Sequence, residues 1–408
     1  MFCKAPFCYL GLNAGGIIQP CCINSLAVDN IDHRSLHDIW FGHEYSRLRE
    51  SMNSDSPCYY YCLYCNLHRS EAICHARSYD SFIINKNGYP SFLKFSGSNR
   101  CNLKCAMCNE VYSSQFTGYE VSNFLYKDYL DQLDEFIPHL HTVSLSGGEP
   151  LLIKQYWELI KKIKTQNSDT TIHITTNGTV CSDVLCSLLN DEKVFVTISL
   201  DSVNKDTYSS IRKNANYESV MKNLDKFQAL SCNLDVNICL TTLNLSSLPE
   251  TLEFLCKRGL MANIIAAKHP MHLSLYFAPS SVDALLESVK SVVDAANPDA
   301  EMRCNSLSAS RLLGHIVEYR GKRDEADRCA AERQRFSTML STILCNSSSK
   351  SKTDIEQIIL SLPLRLFTPR FSDSFFVYNS PLDIAKLAGF DNNTIQDFII
   401  SNAFYLSN

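Results

Sequence analysis

One stretch decides the fold of this chain, Cys101-Asn102-Leu103-Lys104-Cys105-Ala106-Met107-Cys108, in which three cysteines have the spacing C-x3-C-x2-C. Three thiolates can bind three irons of a [4Fe-4S] cube, whereas a cube that only transfers electrons has four protein ligands. The fourth iron is then open, and an open position on a metal is where a substrate or cofactor binds. The spacing therefore predicts a catalytic iron–sulfur cluster on Cys101, Cys105 and Cys108.

The same spacing occurs a second time, at Cys58, Cys62 and Cys65, so the neighbouring sequence has to decide between the two sets. A strand-like run, residues 91–96, precedes the 101–108 set, and residues 142–150 resemble a buried strand that ends in Gly147-Gly148-Glu149. Glycines let the backbone approach a ligand closely, and a carboxylate accepts hydrogen bonds from a cationic amino group. No comparable segment follows Cys65 at that distance, which favours the 101–108 set as the catalytic one.

The cysteine motif and the Gly-Gly-Glu segment together resemble those of the radical S-adenosylmethionine (radical SAM) enzymes. The resemblance implies that the amino and carboxylate groups of S-adenosyl-L-methionine chelate the open iron, while Gly147, Gly148 and Glu149 hold the methionine amine. It also implies that an electron from the cluster cleaves the sulfonium to give a 5′-deoxyadenosyl radical. A flavodoxin- or ferredoxin-type electron donor is the expected partner.

From residue 90 onward, short apolar runs alternate with longer amphipathic ones. The pattern predicts strands at 91–96, 142–146, 170–176, 193–200, 235–242 and 262–268. It predicts helices near 123–136, 154–165, 181–190, 217–229, 246–258 and 280–294. Such a βα repeat predicts a parallel sheet with right-handed crossovers, and six units fit the partial (β/α)6 barrel of the resembled family. In a parallel barrel, the site lies at the carboxyl ends of the strands.

Four further candidates lie near these strand ends or the cysteines. Asn177 follows the third strand, where the family contacts the ribose, although Asn-Gly is also an ordinary turn signal. Ser199 and Arg212 match positions that bind the methionine carboxylate in related enzymes, and an arginine fork suits a carboxylate; the alternatives are a capping serine and a solvated helix arginine. Met107 occupies a position that is often aromatic in the family and covers the adenine, so this chain departs from the pattern there.

The first 80 residues resemble the twitch or SPASM auxiliary-cluster domains of radical SAM proteins. Residues 2–7 and 15–22 are expected to form a hairpin and residues 37–49 a helix, and this arrangement is expected to supply four cluster ligands: Cys3, Cys21, Cys62 and Cys65. Four more cysteines would allow a second auxiliary [4Fe-4S] cluster: Cys8, Cys22, Cys58 and Cys74. A structural zinc site is the alternative, because C-x2-C pairs also bind zinc. The position is unusual, since these domains usually follow the barrel.

The predicted organisation is an auxiliary-cluster domain at 1–80, the barrel at 81–300 and a mainly helical region at 301–408 whose role the sequence does not indicate. Residues 81–90 are expected to be a linker. In the last region, the charged run from Arg320 to Arg328 is expected to form a solvated helix face.

Composition fits an enzyme of the cytoplasm. Of the 19 cysteines, 11 lie in the first 108 residues, and clustered C-x2-C spacings favour metal binding over disulfides where no export signal is found. The remaining eight are expected to be small core residues. The net charge of -5 argues against a nucleic-acid partner, and no apolar run is long enough to cross a membrane.

The resemblance makes a peptide the leading substrate. Enzymes with these auxiliary domains commonly cross-link or oxidise ribosomal precursor peptides or protein side chains. The alternative is dehydrogenation or epimerisation of a sugar or aminocyclitol in natural-product biosynthesis. A non-catalytic protein that keeps the barrel is a third hypothesis, and the intact Cys101, Cys105, Cys108 and Glu149 speak against it.

Overall fold

The structure is a computed structural model, and it describes residues 3–22, 28–31, 34–52, 79–122, 130–267, 270–295, 300–321, 370–372 and 375–377. Its strands are β1 (Tyr9–Asn13), β2 (Ile17–Gln19), β3 (Asp29–Asn30), β4 (Phe92–Ser96), β5 (Thr142–Leu145), β6 (Thr171–Thr176), β7 (Val194–Ser199), β8 (Asn233–Leu240), β9 (Met261–Ala266), β10 (Arg370–Ser372) and β11 (Phe375–Val377).

The helices follow the same chain order. They are α1 (Ala5–Cys8), α2 (Leu36–Trp40), α3 (His43–Met52), α4 (Ser114–Thr117), α5 (Lys154–Gln166), α6 (Asp183–Leu189), α7 (Lys205–Ile211), α8 (Tyr217–Gln228), α9 (Leu248–Lys257), α10 (Asp283–Ala295) and α11 (Ala300–Gly321). The chain divides into two compact units: the first has residues 1–104, 108–198 and 214–234, and the second has residues 105–107, 199–213 and 235–408.

The first unit is built on a sheet with the strand order β3-β2-β1-β4-β5-β6-β7. Strands β1, β4, β5, β6 and β7 are neighbours in that order and are all parallel. Strands β2 and β3 extend the sheet beyond β1 with antiparallel pairing. Alternate residues are fully buried, such as Leu93 and Phe95 on β4. The Phe95 ring contacts the Tyr156 ring of α5, with centroids 5.2 Å apart, as expected where crossover helices cover a parallel sheet.

The second unit contains the parallel pair β8 and β9, in register from Asp235 with Met261 to Leu240 with Ala266. Helices α9, α10 and α11 pack against one another there. Arg320, near the end of α11, is 6% exposed and donates to Asp283 and to backbone carbonyls of Leu275, Ala278 and Pro279. The expectation of a solvated face was therefore wrong for Arg320, because the guanidinium satisfies carbonyls that would otherwise be buried without partners.

The predicted α/β class with a parallel sheet is confirmed, and all six predicted strands are present. Four predicted crossover helices correspond to α5, α6, α8 and α9, and that at 280–294 corresponds to α10. The helix predicted near 123–136 falls partly outside the described residues, and its described part contains only the 3-10 turn Asp131–Leu133. Helix α7 was not predicted. The antiparallel pairing of β10 with β11 adds two short strands to the region predicted to be mainly helical.

The N-terminal hairpin differs from the prediction. The expected first strand at 2–7 is instead partly the helix α1, which begins near Pro6, because proline suits the first helical turn. The hairpin strands are β1 and β2, paired through Gly11 with Gln19 and Leu12 with Ile18. The helix predicted at 37–49 is two helices separated at Gly42, where a Cβ atom would lie 2.1 Å from the Asp38 carbonyl oxygen.

Strand β1 pairs in parallel with β4 along its whole length, from Tyr9 with Phe92 to Asn13 with Ser96. The sheet therefore continues across the boundary that was predicted at residue 80. The domain limits 1–80, 81–300 and 301–408 stay a prediction. In the part of the chain that the structure describes, no helix is both long and apolar enough to span a bilayer.

Candidate active site

Cys101 lies five residues beyond the end of β4, and its sulfur is surrounded by N–H donors. The Leu103 backbone N–H donates to the Cys101 Sγ atom at 3.4 Å, and the Asn177 side-chain amide donates to it at 3.9 Å. Donors of this kind stabilise negative charge on a sulfur atom, as they do around iron–sulfur clusters.

Asn177 connects three parts of the first unit. Its Nδ2 atom donates to the Asn102 Oδ1 atom at 3.0 Å as well as to Cys101, and its backbone N–H donates to the Glu149 Oε2 atom at 2.6 Å. Its Oδ1 atom accepts from the Thr179 backbone N–H at 3.0 Å, which is the turn role that the sequence allowed. The structure therefore brings the predicted residues Cys101, Glu149 and Asn177 together, and the role of Asn177 toward a ribose stays a prediction.

Glu149 is fully buried and holds two strand ends together. Its Oε1 atom accepts from the Thr176 hydroxyl at 2.7 Å and from the Leu151 backbone N–H at 3.0 Å, while its Oε2 atom accepts from Asn177. A carboxylate has about four lone-pair sites. Its predicted contact with a methionine amine is an expectation that these contacts leave untested.

The two glycines before Glu149 have a packing role that the sequence did not reveal. A Cβ atom on Gly148 would lie 2.1 Å from the Arg100 carbonyl oxygen, and one on Gly147 would lie 2.7 Å from the Ser98 carbonyl oxygen. Gly147 also has a φ of +91°, which L side chains rarely adopt. The Glu149 N–H donates to the Arg100 carbonyl at 2.8 Å. The glycines therefore let this turn pack directly on the backbone that leads into Cys101.

In the second unit, Cys105 is buried beside Arg212 and Asp201. The Arg212 Nη1 atom donates to the Cys105 Sγ atom at 3.8 Å, and the Arg212 Nε atom donates to the Asp201 Oδ2 atom at 2.6 Å. Burial raises the pKa of the Cys105 thiol, while the Arg212 guanidinium lowers it. Burial alone would lower the pKa of Arg212, but the Asp201 carboxylate raises it well above its ordinary value.

Asp201 is a site residue that sequence reasoning missed. It lies two residues beyond Ser199 at the end of β7, so the signal was a polar residue at a strand end, but nothing in the sequence showed that it would pair with Arg212. Arg212 is the residue after α7, and it was predicted to bind a carboxylate of the cofactor; a protein carboxylate occupies its Nε atom. Ser199 and Met107 are half-buried in the same unit.

Cys108 is half-buried in the first unit, and its Sγ atom is 3.8 Å from the Asn109 carbonyl oxygen, to which the thiol donates. A cavity of about 460 Å³ lies beside Cys101 and Asn102. Its wall also contains Arg100, Gln115 and Tyr119.

The described N-terminal cysteines have apolar neighbours. Cys8 has no exposed surface and donates from its Sγ atom to the Lys4 carbonyl at 3.2 Å, and burial raises its pKa to about 12. Cys3 and Cys21 are half-buried against the cluster of Ala5, Cys8, Tyr9 and Tyr79, and Cys22 is exposed. The predicted ligands Cys58, Cys62, Cys65 and Cys74 lie outside the described residues. All these ligand assignments stay predictions.

The donor set at 101–108 fits an iron–sulfur cluster. Cys101, Cys105 and Cys108 form no disulfide, and N–H groups donate to the sulfurs of Cys101 and Cys105. Among the described residues, no three His, Cys, Asp or Glu side chains surround a position for one single metal ion.

Comparison with known sequences identifies the class. A sequence model of the radical SAM superfamily matches residues 95–255, and a model of the SPASM iron–sulfur cluster-binding domain matches residues 3–66. The chain therefore contains a radical SAM domain at residues 95–255, and a SPASM iron–sulfur cluster-binding domain at residues 3–66 precedes it. These two domains imply [4Fe-4S] clusters and S-adenosyl-L-methionine as its cofactors, as the sequence predicted.

Curated relatives match over part of their length. The chain is 30% identical over 180 residues to the probable GTP 3′,8-cyclase of Methanocaldococcus jannaschii, which covers 42% of this chain and 57% of the relative. It is 24% identical over 223 residues to the GTP 3′,8-cyclase of Clostridium perfringens, and this match covers 52% of this chain and 66% of the relative. The chain therefore spans less than two thirds of these relatives.

Two solved structures are also similar. The first is anSMEcpe with bound AdoMet, at 19% identity and a TM-score of 0.41, with 50% of this chain and 59% of that chain covered. The second is Streptococcus suis SuiB bound to the precursor peptide SuiA, at 16% identity and a TM-score of 0.41, with 55% of this chain and 50% of that chain covered.

Proposed function

We propose that this protein cleaves S-adenosyl-L-methionine reductively and uses the resulting 5′-deoxyadenosyl radical to abstract hydrogen from a peptide or protein side chain. The observation that carries the proposal is the three-thiol motif at 101–108, which lies inside the segment matched by the radical SAM model. When bound, the cluster supplies the electron that breaks the sulfonium bond.

The residues of this chain would bind the cluster and orient S-adenosyl-L-methionine. Cys101, Cys105 and Cys108 would hold three irons and leave the fourth open. A guanidinium has five N–H donors, and the contacts of Arg212 with Asp201 and Cys105 use two of them, so others can meet the methionine carboxylate. In the proposed site, Glu149 with Gly147 and Gly148 takes the amine, Ser199 takes the carboxylate with Arg212, Asn177 takes the ribose and Met107 covers the adenine.

A peptide substrate is supported by the SPASM match at residues 3–66, because the auxiliary domain is the feature that indicated peptide modification. A nucleotide is the second candidate, because the curated relatives are named GTP 3′,8-cyclase. The sugar or aminocyclitol, the flavodoxin- or ferredoxin-type electron donor and the cytoplasmic location remain predictions from the sequence.

The cofactor chemistry is tested with protein reconstituted anaerobically with iron and sulfide. We expect 5′-deoxyadenosine from S-adenosyl-L-methionine under reductant, and we expect Cys105→Ala to abolish it, because two thiolates cannot hold the cluster with its open iron. Cys232→Ala is the matched control, since that buried thiol donates to the Phe227 carbonyl and has no proposed role. Undiminished cleavage by Cys105→Ala would defeat the proposal.

The substrate class is tested separately. The reconstituted protein is incubated with a short peptide encoded beside its gene, with GTP, and with an aminocyclitol, and products are identified by mass spectrometry. A peptide that loses two hydrogens and stimulates 5′-deoxyadenosine formation supports the proposal. Turnover of GTP or of the aminocyclitol alone would replace the peptide with that substrate.

A further inference from the structure

We infer that Asp201 is a positioning residue that holds the Arg212 guanidinium against the Cys105 sulfur and thereby sets the reduction potential of the [4Fe-4S] cluster. The inference rests on the proposed function, because it takes Cys105 as a cluster ligand. Its basis is a chain of contacts in one unit: Asp201 Oδ2 accepts from Arg212 Nε at 2.6 Å, and Arg212 Nη1 donates to Cys105 Sγ at 3.8 Å.

The carboxylate of Asp201 is itself fixed from several directions. Its Oδ1 atom accepts from the Cys239 backbone N–H on β8 at 2.8 Å, and its backbone carbonyl accepts from the Asn244 side-chain amide at 2.8 Å. Asn244 is in turn held by the Thr241 backbone N–H, which donates to its Oδ1 atom at 2.7 Å. With both carboxylate oxygens engaged and the side chain fully buried, Asp201 has little freedom to rotate.

Burial makes the pair interdependent. A buried carboxylate is stable in its charged form only beside a compensating charge, and Arg212 supplies that charge. The planar guanidinium then fixes the direction of its remaining N–H groups once Nε is bound, which a lysine ammonium cannot do. The position of Nη1 beside Cys105 is therefore a consequence of the bond between Nε and Asp201.

This geometry bears on electron transfer. Hydrogen bonds to cluster sulfurs and nearby positive charge favour the reduced cluster, which carries more negative charge, and so raise its reduction potential. Arg212 donates an N–H group to the Cys105 sulfur, and Asp201 fixes where that group points. Loss of Asp201 should therefore lower the potential, although it also removes a negative charge.

The sign of that shift tests the inference. The midpoint potential of the cluster is measured by electron paramagnetic resonance in the reconstituted protein, using the signal that S-adenosyl-L-methionine perturbs, since that signal belongs to the cluster with the open iron. We expect Asp201→Asn to shift the potential to a lower value. A charge effect alone predicts a rise, and a rise or an unchanged value would overturn the inference.

A second variant keeps the result decisive if Asp201→Asn loses iron or fails to fold. Arg212→Lys keeps the buried ion pair with Asp201, but a single ammonium group cannot also place an N–H group at the Cys105 sulfur. We therefore expect a lower potential in this variant too. A wild-type potential in Arg212→Lys would overturn the inference. Asp206→Asn, the same change at an exposed position on α7, is the matched control and should leave the potential unchanged. If S-adenosyl-L-methionine perturbs no signal in the wild type, the proposed function fails instead.

Discussion

The loop that follows β4 and the N-terminal residues 3–22 both carry cysteines predicted to bind iron, but the sulfur of Cys8 has different surroundings from those of Cys101 and Cys105. The sulfurs of Cys101 and Cys105 receive N–H groups from Leu103, Asn177 and Arg212. Cys8 instead donates to the carbonyl of Lys4, the residue before α1, and Cys3 and Cys21 pack against the cluster that contains Cys8.

Spacing alone therefore does not assign a cysteine. Burial raises the pKa of both Cys8 and Cys105, but Arg212 donates to the Cys105 sulfur and partly offsets that rise, whereas the Cys8 thiol itself donates to the Lys4 carbonyl. The surroundings of Cys8 are those of a packing residue, which argues against its predicted role in a second auxiliary cluster. Those of Cys101 and Cys105 suit a cluster whose charge changes during turnover.

The largest effect is expected when the N-terminal cysteines are removed, because iron and product should be lost while cleavage of the cofactor is kept. Cys3→Ala combined with Cys21→Ala should remove about four irons per chain if one auxiliary cube is present. Cleavage of S-adenosyl-L-methionine should survive, while product from the true substrate should disappear, because a cluster with four protein ligands cannot chelate the cofactor. Iron analysis and product assays check this.

Cys8→Ala is the matched control and should keep the full iron content, since its thiol is buried and bonded to Lys4. Full iron in the double variant would contradict the assignment of Cys3 and Cys21. Zinc in place of iron would contradict the auxiliary cluster itself.

The next effect concerns the packing of the Gly-Gly-Glu turn on the cysteine loop. Gly148→Ala places a Cβ atom against the Arg100 carbonyl, so the backbone must shift, and overpacking of this kind costs about 1–3 kcal/mol or more. We expect a lower free energy of unfolding in urea and a partial loss of catalytic iron.

The contrast is Gly259→Ala, a glycine with φ +64° and open space around it. Strain at that φ costs about 1–2 kcal/mol, and iron content should not change. Equal loss of iron in both variants would mean that the turn does not support the loop.

A smaller effect is expected at Glu149. Glu149→Gln keeps the size but places an amide donor among three donors, which costs about 1–3 kcal/mol of stability. Loss of the charge-assisted contact with the amine should also weaken cofactor binding by roughly tenfold to a hundredfold. Calorimetric titration checks the affinity, and the exposed Glu158→Gln is the control. Unchanged affinity would give Glu149 a purely structural role.

The smallest effect is expected at a polar contact that involves no cysteine. The Tyr89 hydroxyl donates to Glu135 at 2.5 Å, and His37 of α2 contacts the same carboxylate. The Tyr89 hydrogen bond lowers the pKa of Glu135. This contribution to stability is present above the unfolded pKa of about 4.3 and is lost as pH falls through the lower folded pKa.

Tyr89→Phe should therefore reduce the acid dependence of unfolding in that window, by less than about 1 kcal/mol because the carboxylate is exposed. Urea titrations at several pH values check this. Iron content should stay at the wild-type value, and a loss of iron would show that the contact supports one of the cysteine regions.

Many of the strands and helices could be predicted because both have local periodicities. The run at 193–200 corresponds to β7, and the run at 217–229 to α8, since alternating or 3.6-residue apolar patterns are contained in each segment. The N-terminal hairpin was placed wrongly because residues 2–7 are apolar without a clear period, and Pro6 starts a helical turn there. Helix α7 has only seven residues and a weak apolar pattern, so it was missed.

The cysteine motif, the Gly-Gly-Glu segment and the positions of the six predicted strands can be read from the sequence, because each is a pattern of near neighbours along the chain. The surroundings of each sulfur depend on the tertiary structure. Cys105 and Arg212 are 107 residues apart in sequence, and Asn177 is 76 residues from Cys101. Asp201 acquires its partner only when α7 returns Arg212 to the end of β7, and Gly148 meets Arg100 only when β4 and β5 pair. Such contacts depend on how elements pack, which no local pattern encodes.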